Sequence, residues 1–158
     1  MQNTSQDSGS PDLLNYLAQR RCSPQWQRFL HALAMEFSSA LSVGDLRTLS
    51  RRIGTRFAGD MPLANHPTLD ALQAEISRVW GELDWGYVSL VQQTDCVEIQ
   101  HFCSPLTAGL GKAGSEWCAG FLEGVYQHWF EQQGAAGLRV SQTHTTDPLG
   151  NVFFRLSR

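Results

Sequence analysis

The hydrophobic pattern of this chain changes its period once, near residue 84. Before that point, apolar residues recur every three or four positions, as they do on one face of an amphipathic helix. After it, apolar and polar residues alternate in short segments, which is typical of strands with one buried face. N-terminal helices followed by strands predict an α+β fold rather than a bundle or a sandwich.

Four helices are predicted before that change. A short amphipathic helix covers 12–21, and Ser23 with Pro24 forms a typical start for the second helix. Gly44 begins the third helix, and the fourth follows 65–68. The side chains expected to face the core are Trp26, Leu30, Leu33, Phe37 and Leu41 on the second helix, Leu46, Leu49, Ile53 and Phe57 on the third, and Leu69, Leu72, Ile76, Val79 or Trp80, and Leu83 on the fourth.

The rest of the chain is predicted to form a four-stranded antiparallel sheet of two hairpins, with a long helix inserted between them. Val88 and Val97 lie in alternating segments that a short connection joins, so these segments form the first hairpin. Three glycines follow and indicate a flexible connector. The predicted connector, long helix and last two strands cover 105–114, 116–133, 138–145 and 152–156.

Composition narrows the possible functions. The chain has 12 Lys and Arg against 15 Asp and Glu, a net charge of -3, so it lacks the basic surface that nucleic-acid binding requires. Charged residues are only 17% of the chain, which favours an oligomer because interface cores are depleted in charged side chains. Residues 1–10 are expected to be a flexible polar tail, followed by a single domain over 11–158.

The N-terminal residues also suggest a compartment. They show neither the basic nor the apolar region of a signal peptide, and no apolar run in the chain approaches the ~20 residues of a membrane span. We therefore expect a cytoplasmic protein that does not span the membrane. Its four cysteines are expected to be free thiols, because the cytoplasm is reducing.

Histidine and cysteine spacing gives no catalytic or metal motif. His101 and Cys103 share one face of a predicted strand and could hold a metal only if Cys118 joined them. Residues 109–114 lack the strand and helix context of a phosphate-binding loop. We predict no metal, no cofactor and no enzyme activity, although a Cys–His pair brought together by the fold remains open as the basis of a hydrolase.

Four arginines on the third helix form two pairs at i,i+4 spacing. They are candidates for a patch that binds an anionic partner, and the alternative is an ordinary solvated helix face. The four residues are Arg47, Arg51, Arg52 and Arg56.

Gly120 and Gly124 lie one turn apart on the long helix, beside Trp117 and Phe121. Each glycine costs about 1 kcal/mol relative to alanine inside a helix, so two on one face indicate close approach by another element. That element is either the sheet of the same chain or a helix of a second subunit. On the second alternative, these four residues belong to an oligomer interface.

Three motifs then resemble one family. Residues 83–90, LDWGYVSL, fit the pattern WGxVxL; residues 122–126, LEGVY, precede Trp129 as in LEGLYxxW; and residues 54–56 read GTR. Together with Gly114-Ser115-Glu116-Trp117, they resemble the D subunit of bacterial cellulose synthase complexes over about 26–158. The N-terminus looks longer than the family pattern by some fifteen residues, the polar tail and the segment Leu13–Leu17.

The resemblance implies a non-catalytic accessory scaffold that assembles as an octamer, a tetramer of dimers, and promotes ordered, crystalline cellulose export. It implies a Pro-rich scaffold partner, other subunits of the synthase complex and glucan chains as binding partners. The expected place is the cytoplasm at the inner membrane, with the periplasm as the alternative. Tyr16, Tyr87 and Phe153 are the aromatic residues expected to be exposed for stacking on a glucan.

A second class of protein fits the same layout. A small-molecule-binding sensory domain would be a monomer or dimer that encloses an apolar pocket with a few polar groups. Native mass separates this hypothesis from the octameric scaffold, and thiol reactivity tests the hydrolase.

Overall fold

A computed structural model describes residues 11–158, and the predicted tail over 1–10 lies outside the described residues. The predicted α+β class is confirmed, with helices before and between the strands. The elements are α1 Pro11–Gln19, α2 Pro24–Ala40, α3 Val43–Asp60, α4 Leu69–Glu82, β1 Tyr87–Gln92, β2 Val97–Phe102, α5 Leu106–Gly114, α6 Ala119–Gln132, β3 Arg139–Gln142 and β4 Val152–Ser157.

The four strands form one antiparallel sheet in the order β1-β2-β4-β3. The two predicted hairpins, β1 with β2 and β3 with β4, are joined side by side by the pairing of β2 with β4. Because side chains alternate along a strand, one face of the sheet buries its apolar residues against α4 and α6. These residues are Val88, Leu90, Ile99, Val140, Val152, Phe154 and Leu156.

Helices α3 and α6 meet along a seam of small residues. A Cβ placed on Gly54 of α3 would lie 1.9 Å from the backbone oxygen of Phe121, and one on Gly124 of α6 would lie 2.0 Å from that of Arg51. Gly120 has the same role, because its Cβ would lie 2.8 Å from the backbone oxygen of Arg47. Only glycine permits backbones to approach so closely, so these three positions determine how α3 lies on α6.

Helix α5 differs from the sequence prediction. Residues 105–114 were expected to be a flexible connector, which is wrong, because they form a helix with a kink at Gly111 (φ 66°, ψ -165°). Leu106, Leu110 and Ala113 pack on the smaller of two apolar clusters, with Leu46 and Trp117, and this burial overrides the low helix propensity of glycine. Glycine at this position also leaves room for His31, since a Cβ on Gly111 would lie 2.9 Å from His31 Nε2.

The start of α6 shifts as a result, and β3 is shorter than predicted. Ser115 was predicted to cap a helix over 116–133, but it ends α5, and α6 begins at Ala119. Strand β3 covers Arg139–Gln142 rather than the predicted 138–145. Four residues expected in the core are instead exposed, namely Trp26 (58%), Ile53 (50%), Leu41 (44%) and Leu83 (40%).

Candidate functional site

A buried carboxylate joins the helix pair to the sheet. Glu123 of α6 is 4% exposed and accepts hydrogen bonds from Arg47 and Arg51, which lie one turn apart on α3. The Arg47 Nη2 to Glu123 Oε2 distance is 2.6 Å, and the same nitrogen donates to Gln142 Oε1 of β3 at 2.8 Å. The buried charge is therefore paired on both oxygens, as burial of a carboxylate requires.

The predicted arginine patch does not form one surface. Arg52 and Arg56 follow Arg47 and Arg51 by five positions, which turns them by about 140° around the helix axis. Both are exposed, and neither takes part in an ion pair within the part of the chain that the structure describes. Binding of an anionic partner stays a prediction, and it now depends on Arg52 and Arg56.

The four residues predicted for an oligomer interface lie inside the single chain. Gly120 and Gly124 contact α3 of the same chain, which is neither the sheet nor a second subunit. Phe121 is 8% exposed and packs on Phe57 with ring centroids 5.2 Å apart. Trp117 donates from its indole nitrogen to the backbone oxygen of Ala113 at 3.0 Å. Their contribution to an interface between subunits stays a prediction.

His101 lies at the centre of a buried aromatic cluster. Its Nε2 lies 2.8 Å from the Trp85 backbone oxygen, so Nε2 carries the proton and donates. Its Nδ1 then accepts from the Tyr126 hydroxyl at 2.6 Å, and that hydroxyl accepts from Trp80 Nε1 at 3.1 Å. Burial lowers the pKa of His101 to about 4 and raises that of Tyr126, so both are neutral at pH 7. The ring nitrogens of His101, the Tyr126 hydroxyl and the Trp80 indole nitrogen are therefore all hydrogen-bonded.

The cysteines do not form a nucleophilic pair. Within residues 11–158, no cysteine is hydrogen-bonded to a histidine ring, and no three His, Cys, Asp or Glu side chains are grouped as metal ligands are. Burial raises the pKa of Cys118 to about 11, which disfavours the reactive thiolate. The geometry therefore gives the hydrolase hypothesis no support.

Both edges of the sheet are occupied by side chains from helices. On β1, the Gln73 side-chain oxygen accepts from the Leu90 amide at 2.6 Å, and the Ser77 hydroxyl accepts from the Val88 amide at 3.2 Å. On β3, Gln127 accepts from the Val140 amide at 2.8 Å and donates to the Leu138 oxygen at 2.9 Å. A strand from another molecule would have to displace these bonds.

The largest exposed apolar side chains are on the first two helices. Leu13, Leu14 and Leu17 of α1 are 44–51% exposed, and α1 buries only Ala18. The residues that we name the outer α2 face are Trp26, Phe29 and Met35, which are 55–67% exposed and spread over about 180° of the helix surface on the side opposite Ala34. The sequence pattern predicted Trp26 in the core, which is wrong. The stripe that is actually buried includes Ala34 and is rotated around the helix axis by about one residue relative to the predicted stripe.

The outer α2 face had one signal in the sequence. Phe29 and Met35 lie off the predicted stripe, so α2 is apolar on more sides than a core contact alone requires. Large apolar side chains left exposed in this way are typical of interaction surfaces.

The chain contains no helix, within residues 11–158, that combines the length and the hydropathy of a membrane span. Fold and surfaces together define a small α+β protein whose buried polar groups serve packing and whose outer helices are apolar. The chain belongs to the family of cellulose synthase D subunits, because that family's model matches residues 12–157. The match begins at residue 12, so the expectation that the segment Leu13–Leu17 exceeds the family pattern is wrong.

Relatives of known name agree with this membership. The chain is 32% identical over 117 residues to a cellulose synthase operon protein D of Komagataeibacter xylinus, covering 72% of this chain and 74% of the relative. It is 31% identical, with the same coverage, to the cellulose synthase operon protein D of Komagataeibacter sucrofermentans. The resemblance drawn from the three motifs is thereby confirmed, and with it an accessory role in cellulose synthesis.

The family motifs now have physical explanations. In LEGVY, Leu122 is in the core, Glu123 is the buried carboxylate, Gly124 contacts α3 and Tyr126 binds His101. In WG, Trp85 packs 5.6 Å from Trp80, and Gly86 adopts φ +84°. In GTR, Gly54 is the third close contact of the α3–α6 seam. Each motif therefore contains at least one residue that packing requires.

Proposed function

We propose that this chain is a non-catalytic scaffold subunit of a bacterial cellulose synthase secretion system, which assembles as an octamer and promotes ordered, crystalline cellulose export. Membership of the D-subunit family supports the cellulose part of the proposal. The observation that carries the assembly part is the exposure of the outer α2 face, Trp26, Phe29 and Met35, together with Leu13, Leu14 and Leu17 of α1.

Burial of these side chains between subunits would be favourable by about 25 cal/mol for each Å² of apolar area removed from water. The edges of the sheet are less suitable for self-association, because Gln73, Ser77 and Gln127 already bind them. We therefore assign assembly to the helices α1 and α2. Gly120, Gly124, Phe121 and Trp117 would contribute indirectly, by holding the helices on which the interface is built.

The remaining parts of the proposal concern partners and place. A Pro-rich scaffold protein and other subunits of the synthase complex would bind the assembled protein, and Arg52 and Arg56 offer positive charge to an acidic segment of such a partner. The proposed place is the cytoplasmic side of the inner membrane. Direct contact with glucan chains is a further part of the proposed role.

Native mass tests the assembly. The full-length chain at low micromolar concentration is expected to have about eight times the 17.6 kDa mass of one chain. The double substitution Trp26→Ser and Met35→Ser is expected to reduce that mass, because it makes the outer α2 face polar. Val91→Ser, on β1 and 36% exposed, is the matched control and is expected to leave the mass unchanged. A wild-type monomer or dimer would exclude the octamer.

A further inference from the structure

Met35 is the most exposed large apolar side chain in the part of the chain that the structure describes. It is 67% exposed, compared with 58% for Trp26 and 55% for Phe29. Trp26 and Met35 are nine positions apart on α2, which places their side chains on opposite sides of the helix. Met35 is therefore the principal apolar side chain on its own side of the outer α2 face.

The side of α2 that carries Met35 borders a cavity of about 630 Å³ between α2, α3 and α5. Its lining is mainly apolar and includes Val43 and Leu110. The charged residues of the lining, Lys112 and Glu116, are both exposed to solvent. A subunit that covers this side of α2 would therefore enclose the Met35 thioether among apolar groups.

The uncharged side-chain donors of this cavity already have partners. The hydroxyls of Ser38 and Ser115 donate to backbone oxygens at 2.9 and 2.8 Å. The Trp117 indole nitrogen donates to a backbone oxygen at 3.0 Å, and His31 Nε2 lies 3.3 Å from another. An oxygen atom added to the Met35 sulfur would have none of these donors to itself once water is excluded. Burial of a polar group without a hydrogen-bond partner is unfavourable.

The other sulfur atoms within residues 11–158 are less open to an oxidant. The residues that carry them are half-buried or buried, namely Met61, Cys22, Cys96, Cys103 and Cys118. Burial raises the pKa of Cys22 and raises the pKa of Cys118 to about 11, so less of each thiol is in the reactive thiolate form. A thioether needs no deprotonation before it reacts, so the exposed Met35 sulfur is the most available.

We propose that Met35 is an oxidation site at which hydrogen peroxide prevents a free subunit from joining the assembly. This inference rests on the proposed function, because Met35 belongs to the surface to which assembly is assigned. The Met35 sulfur attacks one oxygen of the peroxide and the O–O bond breaks. The sulfur is oxidised to a sulfoxide, and the other oxygen is reduced and leaves as water.

The sulfoxide turns an apolar side chain into a polar one, so its burial between subunits becomes unfavourable. The change is reversible. A methionine sulfoxide reductase restores the thioether, and the oxygen leaves as water while two thiols are oxidised to a disulfide. Once a partner subunit covers Met35 it is shielded, so the modification acts on subunits that are not yet assembled.

Native mass of the full-length protein, before and after treatment with hydrogen peroxide, tests the switch, and peptide mass spectrometry locates the added oxygen. Oxidation is expected to raise the protein concentration needed for half assembly about tenfold, because a polar oxygen is buried without a partner. Met35→Leu keeps an apolar side chain that peroxide does not oxidise, so its mass should not change. Met61→Leu is the matched control and should lose mass in peroxide as the wild type does.

Reduction of the treated protein separates methionine from cysteine. Dithiothreitol alone reverses sulfenic acids and disulfides, whereas a sulfoxide also requires the reductase. Native mass is therefore expected to recover with reductase and dithiothreitol together, and not with dithiothreitol alone. Recovery with dithiothreitol alone would assign the effect to a cysteine and overturn the proposal, as would an equal loss of mass in Met35→Leu.

The untreated sample separates this switch from the assembly on which it rests. An untreated octamer that keeps its mass with Met35 fully oxidised would overturn the switch and leave the octamer intact. An untreated monomer or dimer would exclude both. Melting temperature at high dilution should not change on oxidation, because Met35 is exposed in the single chain. A marked fall would attribute the loss of mass to unfolding and also overturn the switch.

Discussion

Helices α6 and α2 are both rich in apolar residues, but the fold uses them in opposite ways. In α6, ten of 14 residues are buried, including both sides of the helix. In α2, only Ala34 of 17 residues is buried, and Trp26, Phe29 and Met35 face outward. Apolar content alone therefore does not distinguish the interior of this protein from its outer surface.

The contacts that hold each helix explain the difference. Helix α6 is fixed by backbone-to-backbone contact at Gly120 and Gly124 and by the ion pairs of Glu123. Helix α2 is attached to α5 mainly on one side, where Gln27 donates to the Ala108 oxygen at 3.0 Å and Ser38 to the Ala113 oxygen at 2.9 Å. Within residues 11–158, the other side of α2 carries exposed apolar side chains that a partner can contact.

The α3–α6 seam should be the part of the chain whose stability is most sensitive to added side-chain volume. Gly54→Ala would put a Cβ 1.9 Å from the backbone oxygen of Phe121, and backbone cannot rotate away as a side chain can. We expect a loss of about 3 kcal/mol or more in the free energy of unfolding, at the upper end for overpacking. Urea unfolding of the purified variant measures this loss.

Gly59→Ala is the matched control on the same helix. The nearest atom to its added Cβ would be His128 Nε2 at 3.9 Å, which is ordinary contact with a flexible side chain. Alanine gains up to about 1 kcal/mol of helix propensity there. Equal losses at Gly54 and Gly59 would contradict the assignment of the seam.

Acid should destabilise the protein because of the buried histidine His101. His101 has a pKa of about 4 in the fold and about 6.5 in the unfolded chain, so between these values only the unfolded chain binds the proton. Protonation of the unfolded chain therefore lowers the free energy of unfolding. The loss is absent above pH 6.5 and reaches about 3 kcal/mol at pH 4. Urea unfolding at several pH values measures the slope.

The substitution His101→Gln identifies the source of that slope. Glutamine keeps hydrogen-bonding groups but does not titrate, so the variant should be less stable at pH 7 and should lose most of the dependence between pH 6.5 and 4. An unchanged slope in this variant would assign the acid effect to other groups, such as Glu75, whose pKa the hydrogen bond from His66 lowers.

The ion pairs of Glu123 with Arg47 and Arg51 should contribute less to stability than the glycines of the α3–α6 seam. The reason is that Arg51 is 41% exposed, so water screens part of the attraction. Glu123→Gln keeps the shape and removes the charge, and we expect a loss of about 1–2 kcal/mol. Arg52→Met on the exposed side of α3 is the control, with an expected change below about 0.5 kcal/mol. Thermal unfolding of both variants is the measurement, and similar shifts would show that the buried pairing contributes little.

The sequence was sufficient for the fold class and most elements, because the change of hydrophobic period separates helices from strands. It was not sufficient for α5, where burial of Leu106 and Leu110 outweighs three glycines. Nor did it reveal which side of α2 faces inward. Leu30 and Phe37 fit both the predicted and the true stripe, so the rotation by one residue depends on contacts with α5 that no local pattern encodes.

The candidate surfaces were less predictable than the fold. The close approach at Gly120 and Gly124 was predicted correctly, but the element that approaches them is α3. Gly54 of α3 was predicted only as part of the GTR motif and not as a contact with α6. The pairing of Arg47 and Arg51 with Glu123 joins residues more than 70 positions apart, which spacing within one helix cannot predict. Exposure of Tyr16 and Tyr87 was expected correctly, whereas Phe153 is half-buried.

The smallest effect on the stability of a single chain is expected at the outer α2 face. Phe29 is 55% exposed and Phe130 of α6 is 4% exposed, so one substitution can be compared in both helices. Phe29→Ala should change the unfolding free energy of the isolated chain by less than about 0.5 kcal/mol, whereas Phe130→Ala should cost about 3–5 kcal/mol. Urea unfolding at high dilution and native mass at low micromolar concentration measure the two properties separately. Phe29→Ala should lower the mass without weakening the fold, and a large loss of stability in the isolated chain would mean that α2 belongs to the core after all.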